Sequence, residues 1–129
     1  MANNYYVQTR TKFNNKRTEF NGRKYDSKLE ASTAQDIELL RKSGEVVKVE
    51  PQYNFPLYGK NGSKICTYRA DFLLTFKDGH QEVWEPKGVM FPISRLKLLL
   101  FVDNYPDIKL TIINSKKWYV YGKQRNKRN

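Results

Sequence analysis

The segments Tyr68-Arg69-Ala70-Asp71-Phe72-Leu73-Leu74 and Val83-Trp84-Glu85-Pro86-Lys87-Gly88 flank the turn Lys77-Asp78-Gly79-His80. Asp-Gly between two apolar runs is a strong hairpin signal, because both residues accept the backbone conformations that tight turns demand. The reading puts Asp71 on one strand and Glu85 with Lys87 on the next. Two carboxylates and an ammonium so placed suit a metal-assisted attack on a phosphodiester. Magnesium takes hard oxygen ligands and keeps several waters, so two carboxylates suffice to hold it, and a nearby ammonium can orient or deprotonate the attacking water.

Outward from this hairpin, Lys60-Asn61-Gly62-Ser63 is a turn into its first strand, Ile65 to Phe76, and Gln81 to Glu85 is the return strand. Val46 to Glu50 and Gln52 to Tyr58 read as extended edge pieces interrupted by Pro51 and Pro56. Ser27-Lys28-Leu29-Glu30 has capping-box spacing and predicts a helix to about Lys42, ended by Ser43-Gly44. Pro92 opens a second helix, and the leucines between Ile93 and Tyr105 predict that it is largely buried and stops before Pro106. Lys109 to Asn114 is a further strand, and Trp118 to Tyr121 adds a short one. Strand, helix, strand across Gln81 to Asn114 implies a right-handed crossover with the two strands parallel. The expected fold is α/β, a small mixed sheet flanked by helices in the order αβββαβ.

A chain of 129 residues fits one domain. The divisions read as a basic N-terminal arm at 1–20, a folded domain at 21–121 and a basic tail at 122–129. The formal charge of +11 draws polyanions, although charge alone does not separate DNA from RNA or an anionic membrane. Basic residues crowd both ends, and Arg17, Arg23, Lys24, Lys28, Lys116, Lys117, Lys123 and Arg125 are the expected nucleic-acid contacts. No apolar stretch spans a bilayer and the N-terminus lacks signal-peptide order, so the expectation is a cytoplasmic protein without a membrane partner, in the host cytoplasm if phage-encoded. One cysteine and one histidine exclude an internal disulfide and cysteine- or histidine-rich metal sites. Cys66 reads as a small, partly buried strand residue, His80 as a turn residue and Trp84 as a core residue.

Glu30 has two readings. On a helical wheel Leu29, Ala34, Ile37 and Leu40 span an arc of roughly 140°, and Glu30 falls inside it, where an acid needs a reason. The capping box offers one, since a glutamate three residues after the serine can bond the cap's N–H. A contribution to the acidic site offers the other. Asp71 is disfavoured in a strand and sits between apolar residues, which favours a functional role. Glu85 and Lys87 share one strand face, as joint action on one phosphate requires.

Asp26-Ser27-Lys28-Leu29-Glu30, the Asp71 strand, Glu85-Pro86-Lys87-Gly88 and Tyr105-Pro106-Asp107-Ile108-Lys109-Leu110 together resemble the PD-(D/E)xK nuclease superfamily. Within it, the resemblance is nearest to phage Holliday-junction resolvases of the endonuclease I type. It implies a restriction-endonuclease-like fold and a Mg²⁺-dependent DNA endonuclease, with Mn²⁺ able to substitute, acting on branched DNA as a homodimer. Asp71 and Glu85 would be metal ligands, joined by the Pro86 carbonyl. Glu30 would act through a second metal or its water shell, and Lys87 would position or activate water. The pattern departs at Pro86, where such enzymes carry an apolar residue, and at Ala70, where relatives often carry proline. The competing readings are a catalytically idle DNA-binding or recombination accessory protein, and a site-specific nickase or transposon-end endonuclease of the same superfamily.

Overall fold

The computed structural model describes residues 18–20, 23–25, 28–114 and 117–122, with side chains described from 28 onward. A two-stranded hairpin, β1 (Thr18–Phe20) and β2 (Arg23–Tyr25), precedes α1 (Lys28–Lys42). It begins before residue 21, where the sequence reading placed the start of order. β3 (Val46–Tyr58), β4 (Lys64–Phe76) and β5 (Gln81–Pro86) follow, then α2 (Pro92–Asn104), β6 (Lys109–Ile113) and β7 (Trp118–Val120). The last five strands form one sheet in the order β3-β4-β5-β6-β7. β5 and β6 are parallel and the other neighbours antiparallel. This is the mixed α/β sheet with flanking helices expected from the sequence, and the run α1-β3-β4-β5-α2-β6 matches the predicted order.

Each helix contributes to a separate core. Ala31, Ala34 and Ile37 of α1 pack with Val46, Phe72, Leu74, Trp84 and Ile113, and half-buried Leu29 and Leu40 extend the stripe. Leu98 and Phe101 of α2 pack with Phe55, Leu57, Tyr68, Ala70, Leu73, Val83, Leu110 and Ile112. The predicted burial of α2 is too generous. Only Leu98 and Phe101 are fully buried, whereas Ile93 and Leu96 are 64% and 61% exposed. A helix lying against one sheet presents a single stripe to it, and leucines off that stripe meet solvent.

The two edge pieces expected around Pro51 and Pro56 are one continuous strand. β3 lies at the sheet edge, where a proline costs no ladder bond if its missing N–H faces outward. Both prolines keep register, opposite Phe72 and Thr67. Between them Gln52 adopts φ +56°, a left-handed conformation that costs a residue with a Cβ roughly 1–2 kcal/mol. There the side-chain alternation inverts in both strands. Val49 and Leu74 pack on the α1 side, while beyond Gln52 and Asp71 the odd residues of β3 and the even residues of β4 pack on the α2 side. Asp71 therefore sits where the sheet changes faces. Gln52→Gly is expected to stabilise the protein by up to about 1 kcal/mol, read as a higher urea midpoint with unchanged slope.

Candidate active site

The strand inversion puts Asp71 beside Glu85 at the end of the β4–β5 ladder, one step beyond the Phe72–Trp84 pair. The Asp71 main-chain N–H donates to Glu85 Oε1 at 3.3 Å. Tyr68 Oη donates to the same oxygen at 2.6 Å. Lys87 Nζ lies 3.3 Å from Glu85 Oε2, with the lysine side chain about a quarter exposed and the glutamate nearly sealed. From α1, the Glu30 carboxyl hydrogen-bonds that of Asp71. Four residues from three chain segments thus meet as the sequence implied. Glu30's side chain is engaged with Asp71, and Ser27, its proposed capping partner, lies outside the described residues.

Burial is the largest influence on the Asp71 carboxyl, followed by the negative charges of Glu85 and Glu30. With a partial offset from Lys87, they push its pKa up to about 9. Burial likewise drives the Tyr68 phenol well above its ordinary range, reinforced by the charge and hydrogen bond of Glu85. Tyr68 therefore stays a neutral donor that clamps Glu85. The sequence reading quoted Tyr68 without giving it a role, because neither its spacing nor its polarity shows that a phenol reaches across to the next strand. Tyr68→Phe is expected to cost roughly 1.5–3 kcal/mol in urea unfolding, the range for a hydrogen bond to a charged group.

Pro86 is accommodated at the last position of β5. Lys87 N–H donates to Ile113 O at 2.9 Å, toward β6. Successive residues alternate sides along a strand, so the Pro86 nitrogen and carbonyl face the β4 side, where pairing has already ended at Trp84. No ladder bond is lost.

By its chemistry the donor set fits a hard divalent cation. Among the described residues no three His, Cys, Asp or Glu side chains are arranged to hold one ion. Two carboxylates, Asp71 and Glu85, with the Pro86 carbonyl and water are enough for Mg²⁺ or Mn²⁺, and Glu30 joins them through Asp71. A carboxyl pushed up to about 9 by burial and, next, by two neighbouring acids is one whose charged form a bound cation would favour.

Of the expected nucleic-acid contacts, Lys28 is exposed at the start of α1. Lys117 is also exposed, with its ammonium 5.2 Å from the centre of the Tyr119 ring. Arg23 and Lys24 lie in β2. Arg17, Lys116, Lys123 and Arg125 fall outside the described residues. Trp84 is a core residue as expected, with Nε1 donating to Glu82 at 3.0 Å and its ring edge-on to Trp118 at 4.7 Å. Cys66 is half-buried against the α2 core. His80 follows the Asp78-Gly79 turn, its ring stacked on Phe76 and bridging Asp78 and Glu82. These partners make it a brace for the β4–β5 turn.

No helix among the described residues is long and apolar enough to cross a membrane. No curated protein and no solved structure matches the chain. Over residues 10–120 the chain matches the family described as Protein of unknown function (DUF1064), and it belongs to that family.

Proposed function

We propose that this chain is a metal-dependent endonuclease that hydrolyses DNA phosphodiester bonds and selects branched DNA. The observation that carries the reading is the convergence of Glu30, Asp71, Glu85 and Lys87, with Asp71 pushed up to about 9 by burial and by the two other acids. Such a cluster destabilises the fold that holds it, which is the usual cost of a charged active site. Asp71, Glu85 and the Pro86 carbonyl would hold Mg²⁺ or Mn²⁺. When bound there, the ion supplies Lewis-acid stabilisation of charge on the phosphate and lowers the pKa of water.

The chain's own residues do the positioning. Tyr68 and the Asp71 N–H fix Glu85, and Glu85 in turn anchors the Lys87 ammonium at the mouth of the site. From that position Lys87 orients the attacking water and steadies negative charge developing on the phosphate. Glu30 holds the Asp71 carboxyl.

Selection of branched DNA and action as a homodimer rest on the resemblance and on symmetry. Paired cuts at a four-way junction call for two sites related by a two-fold axis, and one copy of the cluster makes one cut at a time. Val89, Phe91, Ile93 and Leu96, all exposed, offer an apolar surface for self-association. The test is incubation with four-way junction, nicked, single-stranded and linear duplex DNA, each with Mg²⁺ and with chelator, alongside light scattering. Junction cleavage by a dimer only with Mg²⁺ is expected. Preferential cutting of a linear sequence by a monomer would replace the resolvase reading with the nickase reading, and binding without any cleavage would favour the accessory-protein reading.

A further inference from the structure

β4 pairs with β5 only over Phe72–Thr75, yet its pairing with β3 runs on from there to Lys64. The outer half of the β3–β4 hairpin is therefore a two-stranded arm projecting past the acidic site. One face of the arm is covered, because Phe55, Leu57, Tyr68 and Ala70 pack in the α2 core. On the other face, no core cluster of described residues covers the arm. The α1 core takes only Val46, Val49, Phe72, Leu74 and Phe76 from these two strands, all on the near side of Gln52 and Asp71. Asn54 and Arg69, directly opposite each other, are exposed on that face, and the Pro56–Thr67 pair beyond them is half-buried.

The charge of the arm is one-sided. Residues 51–70 contain Lys60, Lys64 and Arg69 and no aspartate or glutamate. These three cations form no ion pair among the described residues, whereas Arg41, Lys48, Lys77 and Lys109 each face an acid. Arg69 on this face, Lys64 at the start of β4 and Lys60 in the connecting turn, exposed and without an ion pair among the described residues, are complementary to a polyphosphate and keep the desolvation cost of binding low. Arg69 lies two residues from Asp71 on the same strand, about 7 Å, and Lys64 lies about 17 Å beyond Arg69 toward the tip.

We propose that this face of the β3–β4 arm is the track for the DNA backbone leading into the acidic site, with Arg69 gripping a phosphate next to the scissile one and Lys64 and Lys60 gripping phosphates farther out. The inference rests on the nuclease reading. It differs from the sequence expectation, which gave backbone contacts to the two ends of the chain.

The test is binding to a labelled duplex and a four-way junction in chelator, which prevents cleavage, across a series of salt concentrations. Wild type is compared with Lys60→Ala/Lys64→Ala/Arg69→Ala and with a charge-matched control, Arg41→Ala/Lys42→Ala/Lys77→Ala, at the far end of α1 and the β4–β5 turn. All six side chains are exposed, and circular dichroism checks that both variants are folded. The arm variant is expected to lose at least tenfold in affinity at low salt, and its plot of log affinity against log salt should flatten by about 2–3, near 0.9 per lost phosphate contact. The control should stay close to wild type. Equal slopes for the arm variant and wild type, or equal flattening in both variants, would overturn the arm as the track while leaving the nuclease reading intact. A wild-type protein that binds neither DNA would overturn both.

Discussion

Asp71→Asn is expected to raise the stability of the metal-free protein at pH 8 by roughly 2–5 kcal/mol and, on the nuclease reading, to abolish cleavage. The sign follows from the direction of the shift. The folded-state pKa of about 9 stands far above the ordinary 3.8, so the contribution of Asp71 to stability is fully present below about pH 4 and is lost as pH rises toward 9. At pH 8 the folded state must hold a proton that the unfolded chain has released. Asparagine is neutral throughout and carries no such penalty, so its stability should be flatter with pH across this window. In thermal melts with chelator the variant is expected to melt roughly 5–15 °C above wild type at pH 8, with the gap closing toward pH 4. A variant less stable than wild type at pH 8 would mean that Asp71 is held ionised by partners that favour its charge. DNA affinity in chelator should be equal or better, because one acid facing the phosphate is gone.

Glu30→Gln separates the two readings of that residue. If Glu30 serves Asp71, the variant folds with stability near or above wild type, since an acid is removed from an acidic cluster, and cleavage falls about 10- to 100-fold, the usual effect of losing a residue that orients a metal ligand. If Glu30 were only a helix cap, stability would drop by about 1 kcal/mol or less and cleavage would persist. The side-chain hydrogen bond between Glu30 and Asp71 favours the first outcome. Single-turnover cleavage together with a urea melt of the same preparation distinguishes the two.

The parts of this site that were legible in the sequence are those set by local chemistry. The Asp78-Gly79 turn brought β4 and β5 together, alternation placed Glu85 and Lys87 on one face, and the apolar stripe of α1 drew attention to Glu30 as an acid on the wrong side. The strand-helix-strand pattern likewise gave the parallel pairing of β5 with β6. What stayed hidden depends on tertiary context. The two prolines marked β3 as edge material but also divided it into two pieces, because nothing local shows that the strand runs through both in register. The face inversion at Gln52 and Asp71 cannot be read from alternation, which assumes a regular pleat, and without it neither the Tyr68–Glu85 bond nor the exposed face of the arm is visible. Leucine content overstated the burial of α2, since composition does not say how much of a helix its sheet covers. Glu82, to which the sequence reading gave no role, is buried with Trp84 Nε1 and the His80 ring as its partners, a pairing that the turn signal alone does not reveal.

The most direct test of the central claim, that Glu30, Asp71, Glu85 and Lys87 form a cation-dependent phosphodiester-cleaving site, is single-turnover cleavage of an end-labelled four-way junction with enzyme in excess. Wild type is measured in Mg²⁺ and in chelator, and Asp71→Asn in Mg²⁺. The account predicts discrete cuts by wild type in Mg²⁺ and none under the other two conditions, with the variant still binding the junction. Cleavage by Asp71→Asn at the wild-type rate, or cleavage that persists in chelator, would contradict it.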